Sequence, residues 1–159
     1  MRSAYKFALC CFGTALCSVS GSALTADQTV LKERLVTQAD GTTALEYQEA
    51  SLVTPGETVL YRLDFENDES EPVSDLVLTM PVPAVITFIE GSADQPGTLV
   101  VFSADQGATF SPRGKLRVTS SGNNDQLATA DEITHIRWTL QTPVQPGETG
   151  TLSFKGVLK

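Results

Sequence analysis

The chain has 159 residues, 41% of them hydrophobic, with 19 acidic against 11 basic side chains and a formal net charge of −8. A body so acidic repels phosphate backbones and anionic headgroups, which excludes nucleic acid and a charged lipid surface as favoured partners. All three cysteines, Cys10, Cys11 and Cys17, fall near the start, so neither a disulfide scaffold nor Cys-His chemistry is open to the remainder.

Arg2 and Lys6 open the chain, and no Asp, Glu, Lys or Arg follows from Phe7 to Ala26. A basic start, an apolar run to about Val19 and the small residues Gly21-Ser22-Ala23 are the layout of a secretory signal over residues 1–23. Cleavage is expected after Ala23, with Ala26 as the second choice. A retained membrane anchor fits less well, because Ser18-Val19-Ser20-Gly21-Ser22 is too polar for hydrocarbon. Lipid attachment is disfavoured as well, since Leu9, Cys10 and Leu16 precede the cysteines where a small residue is wanted. Loss of the leader removes two positive charges and no negative ones, leaving 136 residues at −10. That length suffices for one core without covalent staples.

The mixed pattern of residues 29–36, with Val30, Leu31, Leu35 and Val36 around Lys32-Glu33-Arg34, is read as an edge strand in preference to a short helix. Asp40-Gly41 marks a turn, across which residues 44–52 pair back or lead onward. Residues 24–50 thus form an N-terminal strand region, and residues 51–159 the main domain. Thr54-Pro55-Gly56-Glu57-Thr58 combines a Pro that presets φ with a Gly that accepts positive φ, and a strand with period-two alternation follows. In it Val59, Tyr61, Leu63 and Phe65 face the core, while Leu60, Arg62, Asp64 and Glu66 face away. The same phrase returns at Gln145-Pro146-Gly147-Glu148-Thr149, ahead of a closing strand over residues 152–158.

Between the two phrases, residues 76–80 read as a strand ended by Pro81-Val82-Pro83, two prolines that mark an edge or an exit. Residues 85–89 and 99–102 follow as strands. Ser103-Ala104-Asp105-Gln106-Gly107 is read as a hairpin turn into residues 108–110, and residues 115–119 as a further strand. Residues 120–131 form a long loop. Strict alternation resumes over residues 133–140, with Ile136, Trp138 and Leu140 inward and His135 and Arg137 outward. The clear segments number about seven, the count of an immunoglobulin-like antiparallel β-sandwich.

Pro55-Gly56-Glu57-Thr58-x-x-Tyr61, then Asn67, Leu76-Val77-Leu78-Thr79, Pro83-Ala84, Thr87-Phe88, Trp138 and Pro146-Gly147-Glu148-Thr149-x-x-Leu152-x-Phe154 resemble the bacterial conserved-repeat domain. That is a domain of unknown function, number eleven, with an immunoglobulin-like sandwich fold. The resemblance spans residues 51–158. It implies an exported or cell-surface bacterial protein, here with a single copy, and it implies no activity. The family usually carries Asp where this chain has Met80 and Gly where it has Glu69. The first departure removes a carboxylate on which an occasional bound cation would depend.

Ser103-x-Asp105-x-Gly107-x-Thr109-Phe110 is similar to the Asp-box of sialidases, where the motif recurs on propeller hairpins. A single copy without the acid, nucleophile and arginine set reads as a turn lock and not as a glycosidase. His135, the one histidine, reads as a solvent-facing strand residue. The acidic run Asp64, Glu66, Asp68, Glu69, Glu71 and Asp75 invites calcium, but Glu69 stands where an EF-hand needs Gly and Phe65 belongs to a core strand, so a solvated loop is the better reading. Trp138 reads as core, which leaves Tyr47 and Phe110 as candidate exposed aromatics for a sugar. No nucleophile-elbow pattern is present.

The expectation is therefore an exported protein of the periplasm or cell surface, with a structural or binding role, no catalytic or metal-ligating residues and no cofactor. Its expected partners are an envelope protein or a second copy of itself, recruited at an uncapped sheet edge, without stable membrane insertion after cleavage. The alternatives are a calcium- or glycan-binding module and, behind it, a small periplasmic hydrolase.

Overall fold

The computed structural model describes residues 24–50, 52–119 and 125–159. The expected leader, residues 1–23, and part of the expected 120–131 loop lie outside the described residues. The described chain is all-β, with ten strands and no α-helix. Five of the strands form one sheet in the order β2-β1-β3-β10-β5: β1 (Leu24–Thr37), β2 (Thr43–Glu49), β3 (Thr58–Asn67), β5 (Ile86–Phe88) and β10 (Thr149–Leu158). A second sheet, β4-β9-β6, contains β4 (Val77–Pro81), β6 (Thr98–Ser103) and β9 (His135–Leu140). The short strands β7 (Arg117–Thr119) and β8 (Asp125–Leu127) pair with each other. Every ladder is antiparallel.

The alternation expected of β3 holds. Val59, Tyr61, Leu63 and Phe65 are buried, and Leu152 and Phe154 of β10 lie beside them, so the two central strands of the larger sheet supply one wall of the core. Met80, Phe102, Ile136 and Trp138 supply the facing wall from the smaller sheet. The two walls touch directly: the Phe88 ring lies 5.4 Å from Phe102 and 6.3 Å from Phe154. Trp138 is fully buried and its indole N–H donates to the Ala93 carbonyl at 2.9 Å, which satisfies its one polar atom. Met80 is buried in the same cluster, as an apolar residue at this position requires.

The two Pro-Gly phrases fold into the same object. Gly56 and Gly147 adopt φ of +90° and +71°, the third position of a type II turn, and the closing bonds run from Glu57 N–H to the Thr54 carbonyl (3.1 Å) and from Glu148 N–H to the Gln145 carbonyl (2.9 Å). Each glutamate also folds back, so that Glu57 accepts from Thr54 N–H and Glu148 from Gln145 N–H, both at 2.7 Å. Each turn then grips the far end of the other's strand. Gly56 N–H donates to the Leu158 carbonyl (2.7 Å) and Leu158 N–H to the Glu57 carbonyl (3.0 Å). Gly147 N–H donates to the Asn67 carbonyl (2.8 Å) and Asn67 N–H to the Glu148 carbonyl (3.0 Å). The β3/β10 pair is thereby locked at both ends by one repeated local device.

Four sequence expectations need correction. Strands number ten instead of about seven, because β2, β7 and β8 are short or exposed and carry little apolar alternation. Residues 29–36 belong to a strand that begins at Leu24 and pairs with β3 from Leu24 to Lys32, so β1 lies inside the larger sheet with β2 at its edge. Residues 108–110 are not a strand: only an isolated bridge joins Ser111 to Phe102, because the Ala108 N–H is spent on the Asp105 carbonyl (3.3 Å) and the Thr109 N–H on the Asp105 carboxylate (2.9 Å). Within residues 120–131, residues 125–127 form β8 and residues 130–132 a single 3₁₀ turn closed by a Thr129–Glu132 capping box.

Candidate functional site

The β1–β2 hairpin ends the larger sheet on an exposed strand, with six of the seven β2 residues exposed. Its turn is set by Asp40, whose carboxylate accepts from Thr42 N–H (2.9 Å) and Thr42 Oγ1 (2.6 Å), and by Gly41 at φ +84°. The Thr42 hydroxyl, more than any other group, holds the Asp40 carboxyl below its ordinary pKa. Pairing of β1 with β3 stops at Lys32, whereas pairing of β1 with β2 runs on to Thr37 and Thr43. The hairpin therefore projects past the rest of the sheet.

Two bonds fix which way β2 faces. Ala50 N–H donates to the Val30 carbonyl (3.0 Å) and Gln38 N–H to the Thr42 carbonyl (2.7 Å), so even-numbered residues on this stretch turn their amides toward β1. Backbone polarity alternates along a strand, so Thr43, Leu45, Tyr47 and Glu49 turn N–H and C=O away from it. The side chains of these four residues share the face opposite the core. On that face Leu35 and Leu45 are direct register partners, 70% and 47% exposed. Beside them the Glu33 carboxylate accepts from the Tyr47 hydroxyl (3.1 Å) and forms a short ion pair with Lys155 of β10. That ion pair, followed by the contact with Tyr47, raises the Lys155 pKa above its usual value.

Edges of this kind are normally blunted by brevity, proline, lysine or a bulge. β2 lacks these four: its seven residues pair with β1 in unbroken register and include no Pro, Lys or Gly, and its charged side chains are Glu46 and Glu49. The other edges are better protected. β5 has three residues, β4 ends on Pro81, and β6 is bridged at Phe102 to Ser111. No protein-family model, curated protein or solved structure matches this chain. Function must therefore be argued from its own residues.

The positions singled out in the sequence are distributed as follows. Asp64 lies on the outer face of β3, held by Arg62 Nε at 2.9 Å and the Thr151 hydroxyl at 2.6 Å. Asp68 accepts a short bond from the Thr25 hydroxyl. Glu69 gives its N–H to Asn67 Oδ1 at 3.0 Å, and the Glu71 carbonyl accepts from Asn67 Nδ2 at 3.0 Å. Asp75 is exposed at φ +53°. The run is thus spread over a strand end and a loop organised by Asn67, and no three His, Cys, Asp or Glu side chains among the described residues are arranged to hold a metal ion.

Asn67 is the residue that sequence reasoning undervalued. Fully buried, it spends its amide on the Val144 carbonyl (2.9 Å) as well as on Glu69 and Glu71, and so ties the loop after β3 to the approach to β10. Its one sequence signal is an Asn directly after the alternating run.

The Ser103–Thr109 stretch is a turn lock. Asp105 accepts from the Ser103 hydroxyl (2.6 Å), Thr109 N–H (2.9 Å) and the Thr109 hydroxyl (2.5 Å), and the first of these does most to hold its carboxyl far below the ordinary range. Gly107 donates its N–H to Ser103 Oγ at 2.9 Å. This loop corrects the picture of His135 as a free outward side chain. It folds over the outer side of β9, so that a methyl placed on Gly107 would stand 3.6 Å from the imidazole, and the Arg137 guanidinium lies 3.6 Å above the centre of the Phe110 ring. His135 Nδ1 is 3.3 Å from Thr134 Oγ1. A cavity of about 630 Å³ opens beside it, walled by Pro81, Val82, Ala104, Gln106 and Ile133. Asp131 at its rim is engaged by the Thr87 hydroxyl (2.5 Å) and Lys159 (3.3 Å), which lower its pKa in that order. Of the two candidate sugar-facing aromatics, Phe110 is covered by Arg137, and Tyr47 lies on the projecting hairpin, 39% exposed.

Proposed function

We propose that the protein is an exported component of a bacterial envelope, built as an immunoglobulin-like sandwich of the conserved-repeat type, and that it works by association at a sheet edge instead of by catalysis. The basic start, apolar run and small residues of positions 1–23 support export. The repeated Pro-Gly-Glu-Thr turns and the single core shared by two antiparallel sheets support the sandwich. The observation that carries the associative reading is β2, seven residues without Pro, Lys or a bulge whose outward amides and carbonyls offer a ladder to an incoming strand.

The test is capture from envelope fractions by the purified protein, run beside Leu45→Lys, which places a charge on the edge without entering the core. Capture that fails with the variant supports edge recognition. Capture that is equal for both proteins, or a partner bound at the His135 cavity, overturns it.

A further inference from the structure

Resting on that reading of β2, we propose that the strand added to it is β2 of a second copy, paired antiparallel about a two-fold axis at Leu45. Only odd-numbered residues of β2 direct backbone groups outward, and two copies related by a two-fold axis can pair them in three central registers, about position 45, 46 or 47. Side chains choose among these registers. Centring on 46 sets Glu46 against Glu46 of the second copy, two like charges facing each other at the closest strand spacing. Centring on 47 sets Leu45 against Glu49.

Centring on 45 sets Leu45 against Leu45, Thr43 against Tyr47 and Ala44 against Glu46. Each Glu46 keeps Arg34 as its register partner within its own copy, so no carboxylate faces another. On the face away from the core, the already paired Leu35 and Leu45 would then meet their counterparts. Four leucines would form one row across four strands, Leu35 and Leu45 of one copy beside Leu45 and Leu35 of the other. That row covers the two side chains left 70% and 47% exposed on the hairpin. The two five-stranded sheets would become one sheet of ten strands. The projection of β1 and β2 beyond β3 gives the second copy room to approach without meeting the body of the first.

Sedimentation velocity of the purified protein across a concentration series should show a reversible monomer–dimer equilibrium. Leu45→Lys should raise its Kd by about two orders of magnitude, since two leucines are lost and two like charges are brought together. Leu45→Cys should form a disulfide-linked dimer under mild oxidation, because residues opposed in a hydrogen-bonded pair sit about 5.5 Å apart, the usual disulfide span. Glu46→Cys and Tyr47→Cys should not, and the parent chain serves as the background control. Thermal melts matching the parent show that these surface variants are folded. Cross-linking at 46 or 47 in place of 45 overturns the register. A monomer at every concentration, unlinked at Leu45→Cys, overturns self-association; if the same protein captures an envelope strand that Leu45→Lys releases, strand addition stands and only the second copy is rejected.

Discussion

Tyr61 and Phe154 are register partners in the middle of the larger sheet, and their rings stack with centroids 4.8 Å apart and planes within 6° of parallel. Phe154 is fully buried and also meets Phe88, which in turn meets Phe102 of the other sheet. One ring therefore couples the centre of one layer to the next. Phe154→Ala should cost about 3–5 kcal/mol in urea denaturation, with Phe154→Leu recovering part of the loss. A cost below about 1 kcal/mol would show that this stack does not organise the core.

Asn67 supplies a second test, one of polar satisfaction. Asn67→Ala leaves carbonyls short of donors in a closed site and should cost about 1–3 kcal/mol. Asn67→Asp keeps the size of the side chain but replaces an N–H₂ that faces the Glu71 and Val144 carbonyls with an acceptor. At neutral pH it should destabilise more than alanine does, and the two curves should converge as the pH falls and the new carboxyl gains a proton.

Two glycines separate backbone strain from crowding. At Gly56 a methyl would touch nothing within 4 Å, yet φ is +90°, so Gly56→Ala should cost about 1–2 kcal/mol from conformation alone. At Gly150 the same methyl would lie 2.2 Å from Phe65 Cζ. Gly150→Ala should therefore be the worse substitution, and Phe65→Leu should partly rescue it while leaving Gly56→Ala unimproved. Melting temperatures of the four proteins and the two double variants decide the matter.

The acid limb of stability should follow the turn carboxylates. Lys32 at 2.6 Å and the Thr54 N–H hold Glu57 down to about 2 from an ordinary 4.5. A depressed folded pKa contributes stability above the unfolded value, and that contribution is lost as the pH falls from about 4.5 through about 2. Asp40, Asp105 and Asp131 are shifted in the same direction and should act over the acid range with it. Lys155 has the opposite sign: its raised pKa stabilises below the ordinary 10.5 and ceases to do so as the pH rises through the folded value. Glu57→Gln should flatten the melting temperature between pH 2 and 4.5 relative to the parent; an unchanged slope would remove Glu57 from the account.

The parts of this fold that were readable in the sequence are those whose signal is local. Val59 to Phe65 and His135 to Leu140 alternate because each strand is buried on one face, and Pro-Gly fixes its turn whatever surrounds it. β1 was half hidden, since Ala26, Asp27 and Gln28 carry no apolar pattern and are ordered by hydrogen bonding to β3, a distant partner. The covering of His135 and Phe110 was out of reach for the same reason: it depends on where the Asp105 turn carries the following loop, not on the alternation of β9. The place of β2 at the end of the larger sheet has no local signal, because which strand lies outermost depends on sheet order.

The mutual grip of the two Pro-Gly turns also bears on the order of assembly. β3 and β10 meet only after roughly eighty intervening residues, including the whole smaller sheet, have been drawn into a closed loop, and contacts of such long range form slowly. A nascent chain that has not yet reached β10 has no neighbour for β3 on one side and no Phe154 to fill the centre. Until synthesis reaches β10, the larger sheet is open at its centre and the core lacks the side chains of Leu152 and Phe154.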